Sequence, residues 1–164
     1  PRLTKLGEWY RQLFAESLGK ETTQNGKKVK ESMLPTISTA TELHSVGQLY
    51  FSKIADVYTD FVTFDDENVD FKTVKSNKLA SGLKGLSMQE ITTGLYGGVI
   101  SAYQERGLPY RTTVFDESLP YSLGLFIGMR FREIMYTAHL TDVNAFDQPN
   151  VELYKIKTKA ILNI

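Results

Sequence analysis

The sequence predicts an α/β fold, a three-layer αβα sandwich around a parallel sheet that is incomplete in this stretch of chain. Three observations carry that expectation. Helical and strand-like periodicities alternate along the chain, which favours a parallel sheet covered on both faces. At 164 residues the chain is the size of one domain and can bury roughly 70% of its unfolded surface. Hydrophobic residues at 41% and charged residues at 23% match a globular protein rather than a disordered one.

The elements follow in order. Residues 3–17 place Leu3, Leu6, Trp9, Leu13 and Phe14 at near-helical spacing, and Gly19 ends that helix. The polar stretch 20–32 contains Asn25-Gly26, a strong turn signal. The short apolar run at 33–37 reads as a first strand. Thr39-Ala40-Thr41-Glu42 is a capping box opening a helix to about Phe51. Residues 56–64 alternate Val57, Thr59, Phe61 and Thr63 as a second strand.

Residues 65–86, charged and irregular, read as a long, partly structured connection. Ser87 and Glu90 form a second capping box, and the helix after it gathers Met88, Ile91, Leu95, Val99 and Ala102 on one face before stopping at Gly107. Residues 110–115 are the third strand. Ser118 and Pro120 start a helix to about His139 that is apolar on most sides, hence expected to be buried. A last helix runs over about 149–162. Three strands are few for a sheet with two covered faces, so a further strand is expected upstream. Pro1-Arg2 leads straight into a helix, which reads as the start of an excised piece.

Charge and cysteine count narrow the function. Nineteen basic and nineteen acidic residues cancel, so no basic footprint suggests nucleic acid or a membrane surface. No cysteine is present, which excludes disulfides and thiolate catalysis and suits the cytoplasm. The two histidines, His44 and His139, lie far outside metal-ligand spacing, so no metal and no cofactor is expected. No apolar run approaches the roughly 20 residues of a membrane span, and no signal peptide is visible.

Three segments, in order, resemble the glucose-6-phosphate isomerase family: GEWYRQLFAESLGK at 7–20, STATELHSVGQ at 38–48 and NAFDQPNVELYK at 144–155. The last is similar to the family's carboxy-terminal signature, and the resemblance extends over essentially the whole chain. It implies the carboxy-terminal part of such an enzyme, including most of its second sugar-isomerase (SIS) domain, with an SIS-type, flavodoxin-like fold over 1–164 and residues 149–164 as the terminal helix. The chain departs from the family pattern at Asn150, where a small Gly or Ala is usual, at Thr141, where an apolar residue is usual, and at Leu18, which replaces an Asn or Glu. No stretch matches the Ser/Thr-rich phosphate loop that the family carries in its first SIS domain.

The resemblance implies reversible isomerisation of glucose 6-phosphate and fructose 6-phosphate through an enediol(ate), a step of glycolysis and gluconeogenesis. Moving a proton between C2 and C1 needs one carboxylate that both takes and returns it. By resemblance that base is Glu16, at the negative end of the helix dipole. Gln12, about 40° around the same helix, would line the substrate pocket. His44 would act in ring opening at the neighbouring subunit's site, which implies a homodimer. Gln148 would hold sugar or phosphate, and Lys155 would assist ring opening and set a positive charge near developing oxyanions. Seven residues apart, these two would share one side of the last helix if both are helical. His139 lacks motif support and reads as a helix-end residue. With the phosphate loop unmatched, the chain by itself is expected to be inactive. The competing expectation is a non-catalytic SIS-type module that binds a sugar phosphate, and Glu16 separates the two because a sensor needs no base.

Overall fold

The structure, a computed structural model, describes residues 3–30, 33–52, 57–64, 83, 85–115 and 119–164. It divides into two units, Pro1–Ile37 with Pro120–Ile164, and Ser38–Leu119. Most of the expected 65–86 connection, the start of the 56–64 strand and the Ser118 helix start lie outside the described residues.

In the first unit, helix α1 (Thr4–Leu18) ends where expected. The Gly19 amide donates to the Ala15 carbonyl at 3.0 Å, and a Cβ at Gly19 would sit 2.6 Å from that same oxygen, so a side chain there would force the chain aside. A small hairpin follows, with Thr22 bridged antiparallel to Lys28 and Gly26 at a φ of 74° in its turn, as the Asn25-Gly26 pair predicts. The hairpin is tied to residues far along the chain: Asn25 Nδ2 donates to Asp142 Oδ2 at 2.7 Å, and the Gln24 amide to the Asp142 carbonyl at 2.6 Å.

The expected strand at 33–37 is not formed. Pro35 has no amide to give to a ladder, and Met33 and Leu34 are 72% and 62% exposed. Ile37 packs instead against α1, so closely that a Cβ on Gly7 would lie 3.0 Å from its Cδ1.

Helix α4 (Leu119–Leu140) buries a stripe at a spacing of four: Ser122, Phe126, Arg130, Ile134 and Ala138. It packs on α1 through Trp9 and Phe131, whose rings meet edge-on at 5.6 Å. The expectation of burial on most sides fails, because Leu125, Met135, Tyr136 and Leu140 are exposed. A 3-10 turn at Pro149–Val151 leads into α5 (Glu152–Leu162), the terminal helix.

In the second unit the Thr39 amide donates to Glu42 Oε2 at 2.7 Å, but the element it opens is a 3-10 turn, Ala40–His44, followed by α2 (Val46–Phe51). Helix α3 (Met88–Arg106) has its full capping box: Ser87 Oγ accepts from the Glu90 amide at 3.0 Å while the Glu90 carboxylate accepts from the Ser87 amide at 2.7 Å. Gly107 at a φ of 62° closes it. Strands β1 (Thr59–Phe64) and β2 (Tyr110–Phe115) pair in parallel, Thr59 opposite Tyr110 through Phe64 opposite Phe115. Phe51, Phe61, Tyr103 and Tyr110 meet edge-to-face at 5.2–6.0 Å between α2, β1, α3 and β2. The described sheet thus has two strands rather than three, and the chain is α/β with a parallel sheet, as its sequence predicts.

Candidate functional site

The end of α1 carries the first pair of expected site residues. Glu16 and Gln12 are both exposed, and the Gln12 side-chain amide donates to Glu16 Oε1 at 2.8 Å. The spacing of four brings them together on one helix face. Gln12 thereby holds one of the two carboxylate oxygens of Glu16.

Gln148 lies on the segment before α5. It is exposed, and its φ of −140° and ψ of 57° take it out of the helix, as the cap of the 3-10 turn. The expected common helix side for Gln148 and Lys155 therefore does not form, since only Lys155 is helical. Pro149 accounts for this, because a residue before proline is driven out of the helical region. The segment is shaped locally by an Asx turn: Asn144 Oδ1 accepts from the Phe146 amide at 3.0 Å and Asn144 Nδ2 donates to Asp147 Oδ2 at 3.0 Å.

Lys155 is half-buried on α5, and its Nζ donates to Glu152 Oε1 at 2.7 Å. The hydrogen bond to Glu152 raises the lysine above its ordinary range. His44, exposed, ends the 3-10 turn of the second unit. His139 lies in the last turn of α4. Among the described residues no cluster of three His, Asp or Glu side chains has metal-binding geometry, and no helix is long and apolar enough to cross a membrane.

Sequence reasoning passed over Lys20. Its side chain is 5% exposed and forms an ion pair with Asp147 at 3.1 Å. Lys20, Thr22, Gln24, Asn144, Asp147 and Asn150 line an open depression that none of the five expected site residues enters, although Gln148 lies between two of its lining residues. Nothing local marks Lys20, because its partner stands 127 residues away in the chain.

No protein-family model matches the chain. Curated glucose-6-phosphate isomerases of Pediococcus pentosaceus and Levilactobacillus brevis are each 29% identical to it over 166 residues, covering 99% of the chain. The chain is similar over nearly its whole length to proteins of that name. It spans about 35% of the length of these curated relatives. Among solved structures, a hypothetical protein of Thermus thermophilus superposes with a TM-score of 0.83 at 28% identity, over 98% of this chain and 39% of that one. A glucose-6-phosphate isomerase of Chlamydia trachomatis superposes with a TM-score of 0.73 over 98% of this chain and 32% of that one; at 19% identity this likeness concerns the fold. The similarity covers α1, α4 and α5 as well as the strands of the second unit.

Proposed function

We propose that this chain is the carboxy-terminal part of a glucose-6-phosphate isomerase and supplies its proton-shuttling carboxylate. The observation that carries the reading is the Gln12–Glu16 pair, 2.8 Å apart at the end of α1, in a chain similar over 99% of its length to enzymes of that name. In this reading Glu16 takes the C2 proton of ring-opened glucose 6-phosphate, leaving an enediolate and a neutral carboxylic acid. The acid returns the proton to C1 while the O2 hydroxyl proton passes to O1, giving fructose 6-phosphate, and the reverse direction uses the same transfers. C2 is oxidised and C1 reduced within one molecule, so the balance needs no external oxidant or cofactor.

Gln12 keeps one Glu16 oxygen occupied, so the other oxygen does the transferring. Gln148 hydrogen-bonds the sugar phosphate. Lys155, held protonated by Glu152, serves the developing oxyanion as a standing positive charge rather than as a ready proton donor. His44 assists ring opening at the site of a partner copy, which makes the working protein a homodimer, and its place is the cytoplasmic glycolytic pathway.

Glu16→Gln in the full-length protein is expected to lower isomerisation at least about 100-fold, the scale of a lost general base. Binding of the sugar phosphate, read by calorimetry, should stay within a few fold. A Glu16→Gln protein that still turns over would remove Glu16 from the reaction, whereas a full-length protein that binds the sugar phosphate without turnover would favour the sugar-phosphate-binding module.

A further inference from the structure

Lys20 carries a full charge into a site where its side chain is 5% exposed, a placement tolerated only when every donor finds a partner. An ammonium has three N–H groups, and three acceptors surround this one. They are the Glu16 carbonyl at 3.0 Å, the Asp147 carbonyl and Asp147 Oδ1 at 3.1 Å. The first acceptor is the backbone of the residue read as the base. The other two belong to the residue immediately before Gln148. A lysine that merely capped α1 would make the first contact and leave its head in water; Asp147 draws this one inside.

We propose that Lys20 is a positioning residue that sets the reach of Glu16 by fastening the last turn of α1 to the 144–149 segment. The inference rests on reading Glu16 as the base. Lys20 touches neither the Glu16 carboxylate nor any reacting atom; it acts by holding the backbone from which that carboxylate extends.

The test is a double-mutant cycle in the full-length protein, with kcat and KM for fructose 6-phosphate measured at each corner. Lys20→Met is expected to lower kcat about 10- to 100-fold, the cost of a misplacement near 1 Å, and Lys20→Arg to restore much of it. Glu16→Asp, a carboxylate one methylene short, is expected to be slow by itself. In that background Lys20→Met should add less than about threefold, because a base already out of reach has little left to lose. Losses that multiply in full, or a Lys20→Met protein with normal kcat, overturn the positioning role and leave the base in place. A Glu16→Asp protein of normal kcat shows that the carboxylate's reach does not limit the rate and likewise overturns the positioning role, while a Glu16→Gln protein of normal kcat defeats the base reading itself. Should Lys20→Met fail to fold, Asp147→Ala, which removes a half-exposed carboxylate, takes its place in the same cycle with an expected loss of about 3- to 10-fold, and normal kcat there overturns the proposal equally.

Discussion

Arg130 has a side chain 1% exposed, on a helix whose sequence reads as apolar. Its guanidinium lies over the Tyr10 ring at 4.7 Å and the Phe126 ring at 4.5 Å and pairs with Glu133 at 2.6 Å. Flat, weakly hydrated and always charged, arginine suits an aromatic sandwich closed by a carboxylate. Arg130→Ala removes part of the packing of α1 on α4 and the 2.6 Å ion pair with Glu133. A loss of about 3 kcal/mol is expected, the lower end for breaking a buried pair because Glu133 is partly solvated, and thermal or urea unfolding of the variant measures it. The same scale shows what a sequence conceals. Gln12 and Glu16 are legible as a pair because a spacing of four places them together wherever a helix forms. Arg130 and Lys20 are not, because what makes each of them buried is a side chain or carbonyl contributed by another segment.

Among the elements, those governed by their nearest neighbours are the readable ones. Both capping boxes, the Gly19 stop and the Gly26 turn form from residues within a few positions of each other, and all appear where the sequence puts them. The 33–37 run misleads because Met33, Leu34 and Ile37 suggest a strand while Pro35 and the lack of a pairing neighbour among the described residues forbid one. Periodicity also cannot say how much of a helix face finds cover: Met88 and Leu95 on α3 stay 51% and 43% exposed. The α3 cap has a measurable worth. Ser87 is 4% exposed and its hydroxyl holds the Glu90 amide, so Ser87→Ala is expected to destabilise the second unit by about 1–2 kcal/mol. Faster amide exchange confined to the first turn of α3 would register the lost cap.

At the scale of the 164-residue chain, balanced charge gives no long-range steering of an anion, so the sugar phosphate of the proposed reaction would have to be held by local contacts. Of the residues proposed for the site, only Gln148, a neutral amide, is read as holding the sugar phosphate, and the cation Lys155 is already shared with Glu152, a weak hold on a dianion. The 164-residue chain alone is therefore expected to give no measurable turnover in a coupled assay with fructose 6-phosphate. Turnover near that of the full-length protein would show that the sugar-phosphate subsite is already complete here. The exposed apolar side chains of α5, including Leu153, Ile156 and Ile161 at 66%, 61% and 80%, lay outside what periodicity can rank, since it reports a stripe and not its cover.

One departure from the family pattern acquires a meaning at this level. Asn150, standing where a small residue is usual, donates its side-chain amide to the Gly19 carbonyl at 3.3 Å, while Lys20, the very next residue after that glycine, reaches the opposite way to Asp147. Two straps running in opposite senses across one seam resist sliding as well as parting, whereas a single strap would allow a pivot. A glycine at 150 would remove the second strap and leave Lys20 and Asp147 to hold the joint.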